Sequence, residues 1–253
     1  MITADSVAAA LLHTWRLLMP AVPGGWFRAT DGIGRGVSGA AMPTTNGVWV
    51  TGADADPAAV ARGLDEVSSA GVPYCLQARP GHEDALRDLA TSRGMTSDAA
   101  VPVMALVDGH ALAGRDQVDG LRLRALAPHE AATHRDLLAA GFDVPVDLVA
   151  PLASESVLSV PGVRAFVGEV DAVAVTTALA VRVGEHVGIF NVATPSHHRG
   201  RGYGTAITAF ATLDAVSDGS TGAWLQSSAV GLSVYERLGF RTLEHWPCWV
   251  VDA

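Results

Sequence analysis

The sequence predicts an α/β protein of the α+β kind: two tandem repeats, each a mixed, mostly antiparallel central sheet flanked by helices. Three observations predict it. Short apolar runs of strand length alternate with helix-length amphipathic runs throughout the chain. The element order of residues 48–107 is repeated after residue 187, with local rhymes: Gly71-Val-Pro-Tyr-Cys-Leu-Gln77 beside Gly222-Ala-Trp-Leu-Gln226, and Leu89-Ala-Thr-Ser-Arg-Gly-Met95 beside Val234-Tyr-Glu-Arg-Leu-Gly-Phe240. A chain of 253 residues is also long enough for two units of about 125 residues each.

The elements follow in order. Val7, Leu11, Trp15 and Leu18 recur at helical spacing, and Asp5, His13 and Arg16 interrupt the segment, so it reads as a helix and not as a secretory signal. Gly32-Ile-Gly-Arg-Gly-Val-Ser-Gly39 resembles a dinucleotide fingerprint, but Pro43 and Asn46-Gly47 follow it where a helix should open, so a flexible loop is expected there. Strands are expected at 48–51, 72–78 and 101–107, and helices at 57–69 and 82–92. The apolar pattern lapses near 109–120, which divides the chain into an N-terminal domain of residues 1–115 and a C-terminal domain of residues 116–253. Beyond it come a short strand at 121–124, a helix at 128–140 with Pro128 in its first turn, and a second short helix at 146–154. Strands at 163–170, 172–183 and 187–194 turn at Asp171 and at Gly184-Glu185. A helix at 204–216, a strand at 223–227, a helix at 230–238 closed by Gly239, and a strand at 245–251 complete the chain. Trp246 and Trp249 are three apart and share a side of that strand only across a bulge.

Composition narrows the chemistry. All 17 basic residues are arginine, which removes Schiff-base, lysine-nucleophile and Walker-type phosphate-loop chemistry. The net charge is −9, shared between the halves, and there is no basic stripe, so nucleic acid is not expected as a partner. Two cysteines make neither a disulfide framework nor a zinc cluster, and no metal is expected. No apolar run has the length of a membrane span, and the chain reads as cytoplasmic.

The most informative segment is Thr194-Pro-Ser-His-His-Arg-Gly-Arg-Gly-Tyr-Gly-Thr-Ala206. It joins a strand-like run, Val187-Gly-Ile-Phe-Asn-Val-Ala193, to a helix-like one. Its three glycines let main-chain N–H groups close around an anion at the positive end of the new helix, and Arg199 and Arg201 add charge. A pyrophosphate suits such a site. In the first half the corresponding helix follows Asp54-Ala55-Asp56-Pro57, whose carboxylates can cap the helix and repel phosphate, so one active site is expected, in the second half. His197-His198 has no third ligand in sequence reach and reads as a solvated pair near a phosphate.

Arg199-Gly-Arg-Gly-Tyr-Gly204 resembles the (Arg/Gln)-x-x-Gly-x-(Gly/Ala) loop of the GNAT superfamily of N-acetyltransferases. Val192-Ala-Thr194 before it, and Leu225 to Phe240 after it with the ending Tyr-Glu-Arg-Leu-Gly-Phe, extend the resemblance over residues 120–253. The first half is similar only as a degenerate repeat. The resemblance implies acetyl-CoA as co-substrate. Its pyrophosphate would lie on the backbone of Arg199, Gly200, Arg201, Gly202, Tyr203, Gly204 and Thr205. Its pantetheine arm would lie along Val192, Ala193 and Thr194, in a splay between the fourth and fifth strands. Ser228 stands where many relatives have an asparagine that touches the cofactor, and its shorter side chain weakens that contact. The resemblance puts Tyr235 beside the thioester sulfur as the catalytic acid, with an oxyanion held by the N–H of Val192 or Ala193.

Freeing the lone pair of an alkylamine with a pKa near 10.4 costs roughly 4.6 kcal/mol at pH 7, so a base or water chain must take the proton. Many relatives carry a glutamate on the fourth strand; here Gly188 and Asn191 occupy it, and Glu185, His186, Glu169 and Glu155 are distant substitutes, which favours a water relay. The expected activity is N-acetylation of a primary amine on a small molecule. Acetylation of a protein or peptide N-terminus, or a catalytically silent CoA-binding module, are the alternatives. The oligomeric state is not legible.

Overall fold

A computed structural model describes residues 2–106 and 112–251. Val107, the last residue of the expected strand 101–107, and residues 109–111 of the expected boundary lie outside them. The N-terminal half contains α1 (Ala4–Leu18), β1 (Trp26–Thr30), β2 (Ile33–Val37), β3 (Gly47–Val50), α2 (Pro57–Ser68), β4 (Tyr74–Ala78), α3 (Glu83–Ser92) and β5 (Thr96–Leu106). The C-terminal half contains β6 (Arg122–Ala125), α4 (Ala131–Phe142), α5 (Val146–Val149), α6 (Glu155–Leu158), β7 (Val163–Val170), β8 (Val173–Val183), β9 (His186–Ala193), α7 (Tyr203–Ser217), β10 (Gly222–Gln226), α8 (Leu232–Arg237) and β11 (Arg241–Val251).

Among the described residues the strands form one 11-stranded sheet, in the order β1-β2-β3-β4-β11-β5-β10-β9-β8-β7-β6. The halves exchange their last strands. β5 runs antiparallel to β10, with residues 103–106 against 223–226, and β11 runs antiparallel to β4, with 248–251 against 74–77. β5 and β11, both 11 residues long, pair with each other at the centre. This is the arrangement of a pseudo-two-fold axis. Gln77 and Gln226, matched in the sequence rhyme, meet there, Gln226 Nε2 donating to Gln77 Oε1 at 3.0 Å.

Local chemistry accounts for the helix ends. Thr3 and Ser6 form a reciprocal capping box on α1, and Asp56 accepts from Ala58 N–H at 3.0 Å to cap α2, with Pro57 in the first turn. Gly239, at φ 90°, closes α8, and Phe240 N–H reaches back to Tyr235 O. α1 places Val7, Leu11 and Trp15 in a cluster shared by both halves, with Trp49, Trp224 and Trp246. α7 packs Ile207 and Ala211 with Leu225 and Phe240, while α2 and α3 pack Leu64 and Leu86 with Leu76 and Trp249.

The segment 32–39 corrects the expected flexible loop: residues 33–37 are β2, hairpinned to the unforeseen β1 and paired with β3. Glycine lacks strand propensity, which hid the strand. Its glycines serve close packing instead. A Cβ on Gly34 would lie 2.5 Å from Leu12 Cδ2, and one on Gly36 would lie 2.5 Å from Met19 Sδ and 2.6 Å from Trp26 O, so these neighbours would have to shift. Arg28 and Arg35, directly opposed across the hairpin, both form ion pairs with Glu66 of α2, one to each carboxylate oxygen. The expected helix 146–154 is only the four residues of α5, followed by a turn and α6. The central strands begin earlier than expected, at Thr96 and Arg241. Trp246 and Trp249 are both buried but belong to different clusters: between them the extra residue lies on β5, so β11 keeps its alternation.

Candidate active site

β9 and β10 run parallel and pair at 186–188 against 222–224, and there the ladder stops. β10 continues to Gln226, held by β5 on its other side, while residues 189–193 of β9 have no strand partner on the β10 side among the described residues. The two strands therefore open as a wedge. At its closed end the rings of Phe190 and Trp224 stack edge to face, 5.2 Å apart. β9 also bulges against β8 in the open stretch: Thr177 faces Ala193 and Leu179 faces Phe190, leaving an extra residue on β9, with Asn191 left-handed at φ 53°. Asparagine tolerates that conformation better than other side chains do.

In the N-terminal half the same place is shut. β3 and β4 stay paired through Val50–Ala78, and Arg79 N–H extends the ladder to Val50 O at 2.9 Å.

The open end of β9 leads into the glycine loop. Gly200 and Gly202 have φ of 77° and 83°, and Gly202 begins α7 with no side chain capping it. The first-turn N–H groups of α7, at Tyr203, Gly204 and Thr205, lack intrahelical acceptors by geometry. Around Gly200 a Cβ would meet nothing within 4 Å, so this side of the loop faces open space. Tyr203 turns its ring into the core, leaving only its main chain for the loop. Next to Gly202 stands Val118, 3.6 Å from the place of a Cβ. Val118 lines a 320 Å³ recess together with Asp116, Gln117, Asp119 and Phe210.

Arg199 does not aim its charge outward alone. Its Nε donates to Thr194 O at 3.0 Å and its Nη2 to Gly141 O at 2.6 Å, tying the loop to the end of β9 and to α4. Sequence reasoning did not single out Gly141, where a Cβ would lie 2.7 Å from Ala193 Cβ, or Thr176, whose hydroxyl donates to Ala193 O at 3.0 Å and lies 2.9 Å from Thr194 Oγ1. Asn191 was visible only as a polar residue inside an apolar strand, the one signal that could have marked the bulge. Val192 and Ala193 face opposite sides, toward the α7 cluster and the α4 cluster respectively.

Tyr235 stands on α8, the helix that leaves the open end of β10. Burial pushes its phenol up to about 12, and its ring lies against Phe240. Among the described residues its hydroxyl has no hydrogen-bond partner. Ser228 Oγ accepts from Gly231 N–H at 3.2 Å, so this side chain braces the turn into α8. The rings of His197 and His198 lie against each other, tilted by 48° with centroids 4.1 Å apart; partial burial, then His197 and Arg201, push the His198 pKa down. Among the described residues no three metal-ligating side chains converge, and no helix is long and apolar enough to cross a membrane. Glu169 is bound to Arg124 on the far side of β8, and Glu185 and His186 sit at the closed end of the wedge, so none of the three reaches its mouth.

Strand order, bulge and wedge together define the GNAT class of fold, in tandem form. A GCN5-related N-acetyltransferase from Kribbella flavida is similar to this chain with a TM-score of 0.72 at 20% identity, over 100% of this chain and 97% of its own. One from Sphaerobacter thermophilus gives 0.61 at 15% identity, over 96% and 85%. A tandem GNAT protein from the clavulanic acid biosynthesis pathway gives 0.57 at 13% identity, over 99% and 97%. No family model matches the sequence, and no curated protein matches it.

Proposed function

We propose that the protein is an acetyl-CoA-dependent N-acetyltransferase that acetylates the primary amine of a small molecule, with its single active site in the C-terminal half. One observation carries the reading: a strand pair opened at 189–193 leads directly to an uncapped helix start on left-handed glycines. The corresponding strand pair of the first half is closed and its helix is capped by Asp56.

Acetyl-CoA would supply the activated acetyl thioester. Of this chain's groups, the N–H donors of residues 200–205 would hold the pyrophosphate, with Arg201 adding charge; Arg199, whose own N–H donates to Ser196 O at 3.2 Å, braces the loop. Main-chain groups of Val192, Ala193 and Thr194 would hold the pantetheine arm in place of the missing strand partner, and the bulged N–H groups at Val192 or Ala193 would hold the carbonyl oxygen. Ser228 would act on the cofactor only through the turn it braces.

Tyr235 would donate to the sulfur. With its pKa near 12 it is a weaker acid than an ordinary thiol by about 3.5 units, or roughly 5 kcal/mol. It therefore stabilises the departing sulfur by a hydrogen bond, and the net proton comes from the amine through water. The absence of a carboxylate between residues 188 and 193 fits the water route and also keeps the silent CoA-binding module as a second reading.

Binding and chemistry are tested separately. Millimolar CoA should raise the Tm, and no upshift would remove the cofactor from the reading. With binding established, free-thiol release across a panel of small amines and peptide N-termini should show turnover on the former; none anywhere would favour the silent module.

A further inference from the structure

The loop between β2 and β3, residues 38–46, belongs to the N-terminal half but ends against the site of the C-terminal half. Asn46 is its hub and is fully buried. Its Oδ1 accepts from Ser38 N–H at 2.8 Å, Ser38 O–H at 3.0 Å and Gly39 N–H at 3.2 Å. Its Nδ2 donates to Ala40 O at 2.7 Å, Pro73 O at 2.9 Å and Met42 O at 3.2 Å. Oxygen faces only donors and nitrogen only acceptors, so the amide has a single satisfied orientation and the loop a single shape. That shape sends Met42 out of its own half. Met42 packs on a cluster that includes Leu138 of α4, Val149 of α5 and Ala193, the last residue of β9. α4 is also the helix whose Gly141 carbonyl anchors Arg199.

We infer that the N-terminal half completes the acceptor site of the C-terminal half: Met42 forms a wall beside the open end of β9, and Asn46 is the positioning residue that sets it. The word acceptor rests on the proposed function; the wall rests on packing alone. A half without a wedge of its own thus retains a part in the chemistry of its twin.

The test uses the full chain labelled with ¹³C at its methionine methyls. CoA should move the Met42 signal and leave that of Met95, buried in the N-terminal core, in place. Met42→Ala should raise the KM for the amine about tenfold, the scale of a lost apolar contact, with kcat and the KM for acetyl-CoA within about twofold. Asn46→Asp keeps the shape but turns an oxygen toward three carbonyls. It should repeat the KM effect and shift the Met42 signal toward its position in the unfolded chain. Should Asn46→Asp fail to fold, Met42→Ala carries the test. A Met42 signal that moves with CoA in a protein that acetylates no amine supports the wall and sinks the transferase reading. A working transferase whose Met42 signal ignores CoA, or whose folded Met42→Ala variant keeps its KM, overturns the wall.

Discussion

Burial drives two ionisable side chains in opposite directions, and both shifts can be measured. His134 of α4 has no exposed surface; its Nδ1 lies 2.6 Å from Thr177 Oγ1, and desolvation lowers its pKa to about 4. Thr177 Oγ1 already donates to Phe166 O, so the imidazole supplies the Nδ1 proton, and the lowered pKa keeps the ring neutral at pH 7. The folded pKa lies below the unfolded one, so the stabilisation is full above about pH 6.5 and is lost as pH falls toward 4, by up to about 3 kcal/mol. Urea unfolding of the parent and of His134→Gln at several pH values between 7 and 4 should show the extra slope only in the parent; parallel curves would place His134 in an unperturbed state. Tyr235, raised to about 12, keeps its proton throughout the working range. The rate on an alkylamine should therefore climb with pH as the amine deprotonates, with no descending limb below about pH 10. Tyr235→Phe should lower kcat about a hundredfold and leave CoA affinity nearly intact. A descending limb centred below pH 9, or an unchanged kcat, would take the phenol out of the chemistry.

At the scale of elements, the site is a junction of three: the end of α4, the end of β9 and the start of α7. Gly141→Ala would press a methyl to 2.7 Å from Ala193 Cβ, so α4 must move off β9; a loss of about 1–3 kcal/mol in stability is expected, with weaker CoA binding. Arg199→Ala releases the loop from Thr194 and Gly141 and should weaken CoA about tenfold. Calorimetric titration reads both, and unaltered affinity in both variants would separate the junction from the ligand. The loop and its helix were legible because glycine spacing and the strand–loop–helix order are local. The wedge was not visible in β9 or β10 themselves: where two strands stop pairing is decided by what lies between and beneath them, and only the family resemblance raised it. β2 was missed for a related reason. Its glycines answer to Leu12, Phe27 and Met19, residues that sequence reading had no means of setting beside them. The Asn46 hub was equally invisible, since its partners span positions 38 to 73.

For the whole molecule, the exchange of β5 and β11 makes each half a structural part of the other. Asp5 of α1 and Glu244 of β11 both bind Arg79, just past β4, and Glu244 also accepts from Trp246 Nε1 at 2.7 Å. Burial alone would push the Glu244 carboxyl up, but Arg79 and Trp246 outweigh it and hold it below the ordinary range. The repeated order and the Gln77–Gln226 match were present in the sequence; the exchange was not, because the expected division near 115 treats each half as closed. We expect one cooperative heat-capacity peak, with calorimetric and van't Hoff enthalpies in agreement, and no stable monomer from residues 116–253 expressed alone. Two resolved peaks, or a well-dispersed spectrum from that fragment, would contradict the coupling.

The crossed strands bear on how such a chain can change over generations. Removal of the N-terminal half would strip β10 of β5 and bare a raw sheet margin prone to aggregation. The N-terminal half is thus held in place by architecture, whatever chemistry it carries.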